Sequence, residues 1–240
     1  MESFRMKLAG IAFEVNCSYY STNEYCASYF TEDAPLFVLN ITQEDIEHEH
    51  SLLDYPASAP YAEQLALYRA ICEKLCAYDI FLLHGSAIAV DGETYIFIAP
   101  SGTGKSTHTA LWRKALQGQH DIVMVNDDKP LIQVTKNGVF ACGTPWSGTY
   151  GLNTDVSLPV KAICVLHRDT ENHIEPPAKD KAFLELYQRV YLPHHTEGMQ
   201  RVLALLNQTM RMVRFWSLGC NITEEAALTA YRAMKKGNNT

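Results

Sequence analysis

The chain has 240 residues, of which 47% are hydrophobic and 20% charged, enough for one sizeable core with an appendage. Its formal net charge of -7 supplies no basic face, so nucleic acid is excluded as the main partner. Seven scattered cysteines (Cys17, Cys26, Cys72, Cys76, Cys142, Cys164 and Cys220) form no C-x-x-C pair, the start "MESFRMKLAG" has no apolar core of a signal peptide, and no apolar run is long enough to span a membrane; a cytoplasmic chain without a membrane partner is expected.

Along the chain, residues 7–16 ("KLAGIAFEVN") alternate as a strand, 21–30 ("STNEYCASYF") read as a short capped helix, and 35–42 ("PLFVLNIT") as another strand. The polar, then Pro/Ser/Ala-rich stretch over 42–60 marks a loop or boundary, dividing a small α+β region (1–55) from a main domain (60–240). Leu65, Leu67, Tyr68, Ile71, Leu75 and Tyr78 fall at helical spacing over 61–79. Two apolar runs over 80–98 are joined by Asp91-Gly92, a hairpin signal, and "KNGVFACG" is a second hairpin with Asn137-Gly138 at its tip. "DIVMVNDDKPLIQV" is a buried strand ending in two aspartates, and 159–169 is a nearly continuous apolar strand. Helices over 181–192 and 198–210, a strand over 213–220 and a last helix stopped by Gly237 complete the pattern. An α/β fold with a mixed sheet follows, since hairpins recur where a purely parallel sheet has none.

The stretch "YIFIAPSGTGKSTHTALW", residues 95–112, places a strand, a glycine turn and a helix in succession. Walker A loops need that context, because backbone N–H groups must curl round a phosphate and only small residues let the chain approach. Ser101, Gly102, Thr103, Gly104, Lys105 and Ser106 fit the pattern; Ala99 stands where the first glycine belongs, which costs nothing unless that position is left-handed. Lys105 would reach the β- and γ-phosphates of ATP, Ser106 would ligate magnesium, and Thr107 lies in the first turn, whose free N–H groups favour an anion. About twenty positions on, Asp127 and Asp128 close a hydrophobic strand; set beside the loop strand, that end would bring a metal ligand and a proton acceptor to the phosphates.

The string "LLHGSAIAVDGETYIFIAPSGTGKSTHTALW", followed by "VMVNDDKPLI", resembles the catalytic core of the HPr kinase/phosphorylase family and its Ser-kinase relatives, over about residues 80–165. The loop and paired aspartates also resemble ATP-dependent phosphoenolpyruvate carboxykinase, and the chain is most similar to stand-alone HPr-kinase-like proteins that accompany modified-peptide biosynthesis. This resemblance implies a P-loop kinase core, to which the strand patterns of the first 42 residues add a small β-rich N-terminal region. It also implies Asp127 as the base, Asp128 as a magnesium ligand, His84 as the active-site histidine, a peptide or protein serine as acceptor, and a homo-oligomer as a further partner. The N-terminal part is unlike the regulatory domain of full-length HPr kinases, which puts HPr itself in doubt as substrate. A nucleotide-binding peptide-recognition protein without catalysis, and a carboxykinase-like lyase, stay open beside the kinase.

Four other readings accompany these. "GTPWSGTY" is an acceptor lid, with Trp146 and Tyr150 as flat surfaces and Gly148 and Gly151 as hinges, or a structural loop with one buried aromatic. Lys129 and Arg168 are candidates to counter phosphate charge. His108 on the loop helix either reaches the nucleotide or packs. His48 and His50 would share one face if "EHEH" were a strand.

Overall fold

The computed structural model describes residues 2–236. Its first elements are β1 (Glu2–Leu8) and β2 (Ile11–Cys17), an antiparallel hairpin turning at Ala9 and Gly10, whose φ angles are 50° and 79°. Two consecutive left-handed residues make the turn that matches strand twist, so the single strand expected over 7–16 is two strands meeting at a reversal. The short helix α1 (Tyr20–Cys26) follows, and β3 (Val38–Asn40) joins β2 in parallel to give a three-stranded sheet.

The cap expected from its own sequence is absent from α1. Instead, Glu63, fully buried, accepts hydrogen bonds from Ser18 N (2.5 Å), Tyr19 N (3.1 Å) and the Thr22 hydroxyl (2.6 Å). A carboxylate brought from forty residues away thus gathers two N–H groups that lead into the helix and a hydroxyl of its first turn, fixing where the helix begins.

The polar stretch expected as a loop contains a helix, α2 (Gln43–Leu52). Thr42 and Asp45 form a reciprocal capping box: Asp45 N donates to the Thr42 hydroxyl (3.2 Å), and Asp45 Oδ2 accepts from Thr42 N (2.8 Å). Glu49, 3% exposed, pairs with Arg69 of the following helix, α3 (Ala59–Leu75). Capping and a desolvated ion pair thus hold a helix whose composition alone reads as loop. His48 and His50 therefore lie on a helix, and His50 Nε2 sits 2.7 Å from the Ala57 carbonyl.

The main sheet has nine strands and is mixed. In chain order it uses β4 (Ile80–Leu82), β5 (Ser86–Val90), β6 (Glu93–Ile98), β7 (Ile122–Asn126), β8 (Leu131–Thr135), β9 (Gly138–Cys142), β10 (Ser157–Arg168), β11 (His173–Glu175) and β12 (Arg214–Cys220). Across the sheet the order is β4-β8-β9-β10-β6-β5-β7, with β12 beside β10 and β11 beside β12. The helices are α4 (Lys105–Leu116), α5 (Lys179–Tyr187), α6 (Thr196–Met212) and α7 (Glu224–Met234), which makes seven α-helices among the described residues. Gly237, expected to stop α7, lies outside the described residues.

The Asp91-Gly92 hairpin joins β5 to β6 as its dipeptide indicates, with φ of 52° and 82°. The second hairpin turns one residue earlier than expected, at Lys136-Asn137, because Thr135 pairs with Gly138. The aspartate strand is interrupted, with β7 ending at Asn126 and β8 starting at Leu131. The helix expected over 181–192 stops at Tyr187; Val190 instead bridges to Leu83, and Tyr191 N donates to the Leu82 carbonyl (3.1 Å).

Alternation along β6 divides the core. Ile96 and Ile98 pack with Leu186 of α5 and Val202, Leu205 and Leu206 of α6, while Tyr95 and Phe97 pack with Trp112 of α4 and Ala230, Tyr231 and Met234 of α7. A period of two places helices on both faces, and each such buried side chain stabilises by about 1.5–3 kcal/mol. A third cluster joins Phe13 and Val15 of the small sheet to Leu67, Ile71 and Leu75 of α3 and to Leu131, Cys142 and Trp146. All seven cysteines are free thiols, six of them buried. No helix among the described residues is long and apolar enough to cross a membrane.

Strand direction decides what meets at the sheet's edge. Both β6 and β7 run antiparallel to β5, so they point the same way, and β10 runs parallel to β6. The exits of β6, β7 and β10 and the entrance of β5 therefore share one edge.

Candidate functional site

At that edge β6 delivers Ala99 and a glycine loop that opens α4 at Lys105. Gly102 and Gly104 have φ of 74° and 120°, left-handed backbone that a side chain would strain, and Thr103 N donates to the Pro100 carbonyl (3.3 Å) within the turn. Ala99 is not left-handed, so its methyl is accommodated, and it is fully buried. Lys105 is itself 8% exposed; its ammonium donates to the Ala99 carbonyl at 3.2 Å. Burial holds its pKa below the ordinary lysine value, with Arg189 adding to this and the two aspartates opposing it. A charged, dehydrated ammonium with one described hydrogen bond favours an anion beside it.

Arg168, at the end of β10, grips the loop from outside: Nε donates to the Thr103 carbonyl (3.2 Å), and the terminal nitrogen donates to the Gly102 carbonyl. Its guanidinium is thus engaged by the loop's carbonyls and fixes the backbone there.

Asp127 and Asp128 follow β7, but β5 lies between β7 and the loop strand β6, so the two are not the neighbours expected. Their common direction still brings the aspartates to the loop. One cavity of about 400 Å³ is lined by His84, Ser101, Gly102, Gly104, Lys105, Ser106, Thr107, Asp127, Asp128 and the 148–150 segment. Thr103 lies just outside it, lining the two cavities on the β10 side.

The two carboxylates differ. Asp127 is 4% exposed, and its Oδ1 accepts from the Ser86 hydroxyl at 2.5 Å, with the Thr109 hydroxyl 3.3 Å away. Both hydroxyls occupy one carboxylate oxygen, and no described hydrogen bond engages Oδ2. Asp128, half-buried, lies 3.6 Å from His84 Nδ1 and 3.8 Å from Lys129 Nζ. Burial, then the nearby Lys105, holds His84 below the ordinary histidine pKa, against the pull of Asp128. Lys129 also lies over the Tyr68 ring, 4.8 Å from its centroid.

Ser86 and Thr109 were not singled out from the sequence. Their signal was register: Ser86 opens the strand after His84-Gly85, and Thr109 lies one helical turn beyond Lys105.

The segment after β9 folds over the aspartates. Asp127 N donates to the Leu152 carbonyl (3.0 Å), and Asn126 bridges to Asn153. A Cβ on Gly148, where φ is +70°, would meet Asp128 Cβ at 3.2 Å. Asn153 in turn donates to Ser147 Oγ (2.8 Å) and accepts from the Tyr29 hydroxyl (2.8 Å). Trp146 is 5% exposed, packed between Tyr25 and Tyr68, and donates to the Gln64 carbonyl (3.2 Å). It is an anchor and not an acceptor surface, whereas Tyr150, 71% exposed, is free to face one.

His108 packs. Its Nε2 accepts from the Trp112 indole N–H (3.0 Å), its ring abuts Phe97, and burial lowers its pKa to about 4. The unfolded chain takes up a proton near pH 6.5 and the folded chain does so only near 4, so stability present above pH 6.5 is lost progressively as pH falls to 4. That loss is about 3 kcal/mol at most. His108→Gln is expected to flatten this segment of the stability profile, measured by denaturant unfolding at pH 7 and pH 4.5; an unaltered profile would refute the assignment.

Among the described residues, no group of three or more His, Cys, Asp or Glu side chains is arranged to hold a metal by itself. Ser106 and Asp128 are hard oxygen donors on one cavity, which suits magnesium, an ion usually bound by one or two protein oxygens together with phosphates. No protein-family model and no curated protein sequence matches the chain.

Proposed function

We propose that the chain is an ATP- and magnesium-dependent kinase that transfers the γ-phosphoryl group to a hydroxyl, with a serine of a peptide or protein as acceptor. The observation that carries this reading is the single cavity in which a glycine loop, a buried lysine and two unlike carboxylates face one another. The resemblance to HPr-kinase-like proteins agrees with it and supplies the acceptor class.

The residues divide the work. Loop N–H groups and Lys105 hold the phosphates and accumulate positive charge where negative charge develops. Asp127 accepts the hydroxyl proton on Oδ2 while Ser86 and Thr109 hold Oδ1. The acceptor oxygen then bonds to the γ-phosphorus, the bond from that phosphorus to the bridging oxygen breaks, and ADP departs. Magnesium, held by Ser106 and Asp128, would neutralise phosphate charge. His84 lies beside Asp128, placed to tune that carboxylate or to donate to a phosphoryl oxygen.

On the other side of the loop a cavity of about 360 Å³, lined among others by Leu111, Leu166, Arg168 and Ile222, offers apolar walls for a nucleoside. A binding protein that lacks catalysis would need only that side and the loop. The buried, doubly hydrogen-bonded Asp127 favours the kinase, because a ligand clamp has no use for a desolvated proton acceptor.

Incubating the protein with γ-labelled ATP, magnesium and a panel of serine-containing peptides is expected to yield phosphopeptide detectable by mass spectrometry. Tight nucleotide binding with no transfer to any peptide, sugar or water would replace the kinase by the binding protein.

A further inference from the structure

The segment after α5 brings one more cation to the loop. Arg189 follows the end of α5, and its carbonyl accepts from His84 N (2.6 Å), so the residue is fixed beside the active-site histidine. Its side chain is only 15% exposed. A guanidinium has five N–H donors, and burial requires that they find acceptors. Here the side chain makes one described hydrogen bond, from a terminal nitrogen to the Gln188 carbonyl (3.2 Å). The other terminal nitrogen forms an ion pair at 3.5 Å with Glu185 Oε2, an oxygen likewise buried without a hydrogen-bond partner, and Nε is buried without any partner.

The residue lines a cavity of about 350 Å³ between the glycine loop and the 188–191 segment. Its walls include His84, Ser101, Gln188, Arg189 and the rings of Tyr68 and Tyr191, and no carboxylate lines it. His84 and Ser101 also line the cavity of the aspartates, so the two spaces adjoin. In a chain of net charge -7, a carboxylate-free hollow holding an under-bonded arginine is chemically distinct from its surroundings.

We infer that this hollow is an oxyanion site for the acceptor side of the reaction, taking either the phosphate of the phosphorylated hydroxyl or a carboxylate next to the accepting hydroxyl. The inference rests on the kinase reading, because it places the anion by its adjacency to the transfer cavity. A planar, forked donor is suited to two oxygens of one phosphate or carboxylate, which a lysine would contact only as a point charge. Tyr68 and Tyr191 supply flat walls for the group's carbon atoms.

Calorimetric titration of the full chain, with ADP and magnesium present, tests it in two arms: O-phosphoserine, and a short serine peptide with a glutamate beside the serine. In at least one arm binding to the wild type is expected, weakened roughly tenfold or more by Arg189→Gln and partly restored in Arg189→Lys. Gln188→Glu, an exposed position on the rim, puts a negative charge at the mouth and is expected to weaken the same ligand if the arginine variant fails to fold. Response of the phosphoserine arm alone assigns the product phosphate; response of the peptide arm alone assigns the carboxylate. ADP binding with no anion binding, or with anion binding indifferent to folded variants, overturns this site and leaves the kinase reading standing. Failure of the wild type to bind ADP overturns both.

Discussion

Asp127→Asn is expected to reduce phosphoryl transfer by about 10²–10⁴-fold while nucleotide affinity stays within about twofold of wild type. The amide keeps the shape of the carboxylate, and its oxygen can still accept from Ser86, so the loop and Lys105 retain their positions. What is lost is the capacity to take a proton from the acceptor hydroxyl. Because Asp127 is nearly sealed from solvent, water cannot readily replace it as base. Single-turnover transfer alongside equilibrium nucleotide binding separates the two effects. Turnover equal to wild type would remove Asp127 from the chemistry.

Lys105→Ala is expected to weaken both nucleotide binding and transfer, the latter by about 10²–10³-fold, the cost of losing one charged donor at a developing anion. Stability should respond in the opposite sense. Without nucleotide, Lys105 is a dehydrated ammonium whose one described hydrogen bond is to Ala99 O, so its removal relieves an unfavourable burial. The melting temperature of the nucleotide-free variant is therefore expected to equal or exceed that of wild type, while the upward shift on adding ATP and magnesium disappears. A variant with full activity would discredit the loop as the phosphate holder.

The sequence displayed the centre of the site better than its surroundings, for physical reasons. Gly102, Gly104 and Lys105 form a local pattern: the backbone needs of the turn are met within six residues, between a strand and a helix that are both readable by period. Asp91-Gly92 was equally local. By contrast, Ser86 and Thr109 reach Asp127 only because β5 separates β6 from β7, an order that no single stretch records. The expected adjacency of β6 and β7 failed for the same reason, though the shared direction of the strands preserved its consequence.

Hydrophobic periodicity also misleads in two segments. The stretch 42–60 reads as a loop or boundary because it is acidic and ends in proline and serine, yet Thr42, Asp45 and the Glu49–Arg69 pair make a helix there. Residues 188–192 were joined to a helix because Val190, Tyr191 and Leu192 continue an apolar pattern; they turn back along β4 instead. Arg189 was invisible as a site residue until that reversal carried it to His84. Trp146 is readable from sequence either as a flat surface for an acceptor or as the buried aromatic of a structural loop, and long-range packing against Tyr25 and Tyr68 decides for the second.

The hydrogen bond from Tyr29 to Asn153 spans more than a hundred residues of sequence, and its effect extends past the two side chains. Asn153 belongs to the same short stretch that clasps the backbone of Asp127, so the posture of the two acids is set partly by a tyrosine from the opposite end of the polypeptide. The small leading sheet is in that sense a brace for the two aspartates, and anything that tugged on it would be felt at the proposed site.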